Sequence, residues 1–203
     1  MLLSIAYATL RLIHPLVNDM NDQLIHCVIL DRDGVINRDT PGQYITSKEA
    51  WVPIPGSLDA IAKLNQQGIK VGIATNQSGI ARGYYTQADL TEIHLKMTTL
   101  LKAVGGHIDY IAFCPHHPND NCLCRKPKPG LLREVAQHLN IDLAKTYFIG
   151  DKSSDMSAAK AAGCQGLFVK TGHGVETLNQ QSLDPKTPIY TSLAHAVNAL
   201  LDG

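Results

Sequence analysis

Asp31 and Asp33 stand one residue apart at the end of the apolar run that opens at Val28, with Gly34 directly behind them. An unbroken apolar run is how a buried parallel strand reads, so the pair is delivered to the edge of a sheet. Strand alternation sends both side chains to one side. Carboxylates so close repel, and they are tolerable only if a cation lies between them or one keeps its proton. This marks 28–37 as a candidate chemical site, against the alternative of an acidic turn capping a strand. A second apolar run, 146–149, ends in Gly150-Asp151-Lys152-Ser153-Ser154-Asp155. Asp151 can therefore join the first pair around one cation at the carboxyl edge, where ligands bind in open α/β sheets. Asp155 either faces that cation or sits in the first turn of the next helix, where a carboxylate is favoured anyway.

Three further stretches carry chemistry. Cys114, Cys122 and Cys124 fall within eleven residues together with His116 and His117. Three thiols and one imidazole make a closed tetrahedral Cys3His zinc site, which is structural because no position is left for substrate. The Cys-x-His spacing favours His116 as the fourth ligand, with His117 the alternative. Arg125, Lys126 and Lys128 follow at once, stiffened by Pro127 and Pro129. Against the bland reading of a solvated basic loop, rigid cations leaving a metal-tied loop are placed to neutralise phosphate, Arg by a bidentate fork and Lys as a point charge. The third stretch, Thr75-Asn76-Gln77-Ser78-Gly79, offers a hydroxyl, amides and backbone N–H groups that can hold phosphate oxygens, though a glycine-bearing turn alone says little.

Alternating strand and helix patterns must position these groups, which implies a Rossmann-like α/β fold with a mostly parallel sheet and helices on both faces. Strands are expected at 28–31, 71–74, 108–113, 146–149 and 166–169, with a short edge strand at 189–190. A helix from 57 has Ser57 as N-cap, and its apolar positions are Leu58, Ile61, Ala62 and Leu64. Another, 86–104, is capped by Thr86 and carries Leu90, Ile93, Met97 and Leu100 as its buried stripe; His94 on it is read as structural or solvated. Helices at 131–139, 156–162 and 193–201 complete the set. The stretch 171–174 is expected to be a loop, and 178–187 carries no chemical signal.

With 203 residues, a single domain over 23–203 is expected, carrying the small zinc loop and no large cap. Residues 1–22 form an N-terminal extension; 1–19 are apolar but lack the basic start of a signal peptide and the unbroken length of a membrane span. They are either a packed helix or a stretch upstream of the true start. Eighteen basic and eighteen acidic residues balance, without basic blocks, so neither nucleic acid nor an anionic membrane is expected as a partner. A small soluble substrate and a monomer are. An odd count of five cysteines, with Cys27 and Cys164 in apolar surroundings, points to free thiols in a reducing compartment, the cytoplasm.

Three acids, a hydroxyl-bearing turn and a lysine at one sheet edge suggest phosphoryl transfer through an aspartyl phosphate, with magnesium offsetting the repulsion between carboxylates and phosphate. In sequence order, Asp31-Arg-Asp33-Gly, Thr75-Asn76, Lys126 and Gly150-Asp151 resemble the four motifs of the haloacid dehalogenase superfamily of phosphatases. The metal loop running into Arg-Lys-Pro is similar to its histidinol-phosphatase-like branch, whose members act on D-glycero-D-manno-heptose 1,7-bisphosphate or on histidinol phosphate. The turn 76–83 resembles the heptose-directed members, which implies hydrolysis of the 7-phosphate; histidinol phosphate or another small phosphate monoester is the alternative. The resemblance implies Asp31 as nucleophile and Asp33 as general acid and base. It implies Thr75 and Lys126 as phosphoryl-stabilising groups, and Asp31, the Asp33 carbonyl and Asp151 as magnesium ligands. Asn37, Asn76, Gln77, Ser78, Arg125 and Lys152 would contact substrate.

Overall fold

A computed structural model describes residues 25–39, 42–180 and 183–202. The expectations for residues 1–22 lie outside the described residues. Six parallel strands form one sheet: β1 (Cys27–Leu30), β2 (Lys70–Asn76), β3 (Tyr110–Cys114), β4 (Thr146–Gly150), β5 (Gln165–Val169) and β6 (Ile189–Tyr190). Their order is β3-β2-β1-β4-β5-β6. The chain starts in the middle, builds outward to one edge through β3, then returns to the other side of β1. That reversal leaves a crevice at the carboxyl ends of β1 and β4, which no crossover covers.

Alternation along β1 explains the two-faced burial. Val28 and Leu30 enter one core, and Cys27 and Ile29 the other. The helices are α1 (Ser57–Gln66), α2 (Gln87–Ala103), α3 (Gly130–Leu139), α4 (Ser153–Ala162), α5 (Gly174–Asn179) and α6 (Leu193–Asp202). Ile61 and Leu64 of α1, Ile93, Met97 and Leu101 of α2, and Leu193 and Val197 of α6 fill the first core. Leu131, Leu132 and Val135 of α3 and Ala158 and Ala159 of α4 fill the second. Fully burying such a side chain stabilises by about 1.5–3 kcal/mol before the entropy of ordering it is charged. Among the described residues the path from β1 to α1 holds only isolated bridges, Asp33 to Asn37 and Asn37 to Pro53, so no cap domain is inserted there.

Several sequence expectations are corrected. Gly56, in the left-handed region at φ 78, is the N-cap of α1. The Ser57 hydroxyl instead donates to the Ile36 carbonyl at 2.7 Å, tying α1 to the loop behind the aspartates. On α2, Leu101 is buried and Leu100 is 37% exposed, because the stripe advances by four residues from Met97. Thr86 does cap α2, in a reciprocal capping box with Asp89. Short α5 begins at the last residue of the expected 171–174 loop and ends within 178–187, where no element was expected.

Candidate active site

Every strand that was expected to deliver a candidate site residue does so at the same edge. Asp31 follows β1, Thr75 lies near the end of β2, Asp151 follows β4 and Asp155 is in the first turn of α4. Carboxylate oxygens of Asp31, Asp151 and Asp155 all lie within 4.8 Å of one another. Lys126 Nζ sits 2.9 Å from Asp31 Oδ1 and 2.7 Å from Asp155 Oδ1, contacts of ion pairs without hydrogen-bond geometry. Its cation lies 5.3 Å from the centre of the Phe148 ring, which holds the ammonium on the sheet. Asp155 thus resolves both sequence readings at once: Oδ2 accepts the Lys152 N–H at 3.0 Å as a helix cap, and Oδ1 faces Lys126.

Three buried carboxylates around one fully buried lysine leave negative charge in excess. Burial pushes the Asp31 carboxyl above its ordinary range against the pull of Lys126. Burial pushes Asp151 well above its own, opposed by Lys152 and reinforced by Asp31 and Asp155. Asp151 Oδ1 is buried without a hydrogen-bond partner, while Oδ2 accepts the His173 backbone N–H at 2.7 Å. A hard divalent cation fits this oxygen-only donor set and relieves its repulsion. Glycine makes the room: a Cβ on Gly34, whose φ is +90°, would stand 2.2 Å from Asp151 Oδ2.

Asp33 is treated differently from Asp31. Arg32, itself 0% exposed, grips it through Nε at 3.0 Å and Nη2 at 2.9 Å. Asn37 Nδ2 donates to its Oδ1 at 2.9 Å and Gln77 Nε2 to its Oδ2 at 2.8 Å. Burial alone would push this carboxyl up, but the Arg32 charge and the bonds from Asn37 and Gln77 outweigh it and hold it below its usual range. Its side chain is therefore turned to these donors and away from the Asp31, Asp151 and Asp155 group.

Several of the expected substrate contacts have protein partners of their own. Asn37 is fully buried behind Asp33 and is absent from the cavity wall. Asn76 clamps Lys126 by two 3.1 Å bonds, one to its N–H and one to its carbonyl. Gln77 bonds Asp33 and the Thr75 hydroxyl, and Tyr85 fixes its amide by donating to Oε1 at 2.5 Å. Ser78, Arg125 and Lys152 do line a cavity of about 370 Å³, with Asp31, Asp33, Thr75, Asn76, Gln77 and Lys126 at its walls. Of the three cations after the metal loop, Lys128 turns away, donating to the carbonyls of Asn121 and Cys122. Arg32, Asp39, Tyr85 and His173 were missed. A fully buried Arg beside Asp33 could have been suspected, because it sits between two aspartates; the other three carry no local pattern.

Cys114 Sγ lies 3.6 Å from both His116 Nδ1 and Cys122 Sγ, and Cys124 Sγ lies 3.2 Å from His116 Nδ1 and 3.4 Å from Cys122 Sγ. Tetrahedral zinc with bonds of about 2.0–2.3 Å has edges of roughly 3.3–3.8 Å, which three of these separations match and the 3.2 Å one between His116 and Cys124 falls just short of, so the four atoms fit such an ion after a small adjustment. His117 is excluded from the cluster by its own role, accepting the Asn119 N–H as cap of a short 3-10 turn. The loop is tied back to the site, since Gln77 N–H donates to the Cys114 carbonyl and Ala81 N–H to that of Pro115.

A parallel α/β sheet with carboxylates and a lysine at its switch point can bind and transfer a phosphoryl group, and the HAD-hydrolase-like family model matches residues 123–196. The D-glycero-β-D-manno-heptose-1,7-bisphosphate 7-phosphatase of Pseudomonas aeruginosa is 49% identical over 174 residues, 86% of this chain and 97% of that protein. Its namesake from Bordetella bronchiseptica is 45% identical over the same length and equal shares. The crystal structure of the D,D-heptose 1,7-bisphosphate phosphatase of B. bronchiseptica, complexed with magnesium and phosphate, matches with a TM-score of 0.83 over 87% of this chain and 98% of that one. The chain belongs to the HAD-like hydrolases, in the family of these heptose-bisphosphate phosphatases.

Proposed function

We propose that this protein is a magnesium-dependent phosphatase that removes the 7-phosphate of D-glycero-β-D-manno-heptose 1,7-bisphosphate, a step toward lipopolysaccharide precursors. The observation that carries the reading is the trio of Asp31, Asp151 and Asp155 oxygens at the end of β1 and β4, with Lys126 on Asp31 and Asp155. Relatives of this name at 45–49% identity and a magnesium-and-phosphate complex among them support the substrate and the ion.

Asp31, the Asp33 carbonyl and Asp151 would hold magnesium, with Asp155 beside them; bound there, the ion neutralises charge between carboxylates and phosphate. Lys126 and the Thr75 hydroxyl hold the phosphoryl oxygens. The ammonium is already fixed by Phe148 and two carboxylates, so little reorganisation accompanies charge build-up. An Asp31 oxygen attacks phosphorus, the bond from phosphorus to the sugar oxygen breaks, and Asp33 supplies that oxygen with its proton. Asp33 is held ionised in the free protein, so it takes this proton from solvent as the anionic ester arrives and opposes the Arg32 charge. It then takes a proton from water, which attacks the aspartyl phosphate and restores Asp31. Arg125 and Lys152, on the cavity wall, face the rest of the substrate.

The Cys114, His116, Cys122 and Cys124 cluster would hold a structural zinc ion. None of the five cysteines is in a disulfide, which accords with the cytoplasm. Phosphate release from the heptose bisphosphate with magnesium, measured for wild type and Asp31→Asn, tests the reading: the variant should lose at least about a thousandfold in kcat. Turnover near wild type would refute the nucleophile.

A further inference from the structure

Two carboxylates compete for Lys152. Its Nζ lies 3.1 Å from Asp39 Oδ2 and 3.7 Å from Asp151 Oδ1. The Asp39 oxygen also meets His173 Nε2 at 3.2 Å. Loops following β1, β4 and β5 therefore converge on one side chain, which is only 10% exposed. On the other side of the gap, Asp151 Oδ2 is already taken by the His173 backbone N–H, and Oδ1 is the buried oxygen without a hydrogen-bond partner. An ammonium 3.7 Å away is one small rotation from closing on it. At that distance, in poorly screened surroundings, the attraction is strong, and the carboxylate that opposes it is the nearer one, Asp39.

We propose that Asp39 is a positioning residue for the cation seat: it holds the Lys152 ammonium at the cavity wall and so keeps Asp151 Oδ1 open to a divalent cation. The inference rests on the reading that Asp31 and Asp151 seat magnesium. Lys152 and magnesium are alternatives for one oxygen. Without the Asp39 charge, Lys152 moves onto Asp151 and the metal must displace it. With Asp39 in place, the same lysine faces the cavity, where a phosphorylated substrate can use it.

Calorimetric titration of magnesium onto wild type, Asp39→Asn, Lys152→Met and the double variant, in phosphate-free buffer, tests this without turnover. Asp39→Asn should raise the magnesium Kd about tenfold when Lys152 is present, and less than about twofold when residue 152 is methionine. An equal loss in both backgrounds would mean that Asp39 acts merely as a nearby negative charge, and would overturn the proposal. So would an unchanged Kd in Asp39→Asn. Wild type that binds no magnesium would overturn the cation reading and this proposal together, which separates the two failures. Thermal melting checks the fold of each variant, and Asp39→Ser serves in place of an Asp39→Asn that does not fold.

Discussion

Asp31 and Asp33 are neighbours in sequence and opposites in environment. Asp31 is opposed by two other carboxylates and answered by Lys126, whereas Asp33 is enclosed by Arg32, Asn37 and Gln77. Behind Arg32 stands His94, whose Nε2 lies 3.2 Å from Nη1. Burial, followed by the Arg32 charge, pushes the His94 imidazole down to about 3, so the ring stays neutral and accepts from the guanidinium. Below its ordinary value of 6.5 the unfolded chain takes up a proton that the folded one refuses, so stability falls as pH drops from about 6.5 towards 3. Roughly 1–2 kcal/mol should go between pH 6.5 and about pH 5 from this residue. His94→Gln keeps an acceptor for Arg32 and lacks that titration. Urea unfolding of both proteins at the two pH values should give a smaller pH dependence for the variant, and equal dependences would refute it. The candidacy of Asp31 and Lys126 was legible in residue type and position. The support by His94 was not, since 62 residues separate it from Arg32 and its place in an amphipathic stripe reads as ordinary packing.

At the scale of elements, the metal loop has the clearest division of labour. It leaves β3, turns through Cys114 and His116, and returns through Cys122 and Cys124 to Arg125 and Lys126. Lys128 closes it by donating to Asn121 and Cys122, so a cation read from sequence as a phosphate ligand serves the loop instead. Outside its four metal-directed side chains the loop has little core, and Leu123 is 81% exposed. One zinc per chain is expected by elemental analysis of protein purified without chelator. Cys122→Ser should lower the melting temperature by about 5 °C or more and cost at least about tenfold in kcat/KM, because Lys126 loses its approach path. A variant that melts and turns over like wild type would show that the loop stands without metal. Cysteine spacing made this element readable. The destination of each following cation depended on which way the chain turned after Cys124.

For the whole molecule, strand order decides where the chemistry meets. β1 lies between β2 and β4, so Thr75 and Asp151, 76 positions apart in the chain, flank Asp31. The cavity above them offers Arg125 and Lys152 to the far end of a substrate, cations suited to a second phosphate. A bisphosphate should therefore be preferred to a small monoester. kcat/KM for the heptose bisphosphate should exceed that for histidinol phosphate by at least about a hundredfold, and the reverse order would sink the heptose assignment.

The sequence by itself determined the fold class and marked out the motif aspartates, Lys126 and the cluster of Cys114, His116, Cys122 and Cys124, because each is announced by a local pattern: an apolar run ending in acids, or thiols at ligand spacing. Tertiary structure decided what surrounds them. It put Asp155 in the cation group, set Asn37 behind Asp33 rather than in the cavity, and gave Asn76 and Gln77 the task of holding Lys126 and Asp33. It also brought Lys152 and His173 to Asp39. Side-chain hydrogen bonds between loops of different strands follow from sheet order and register, and no local spacing encodes those.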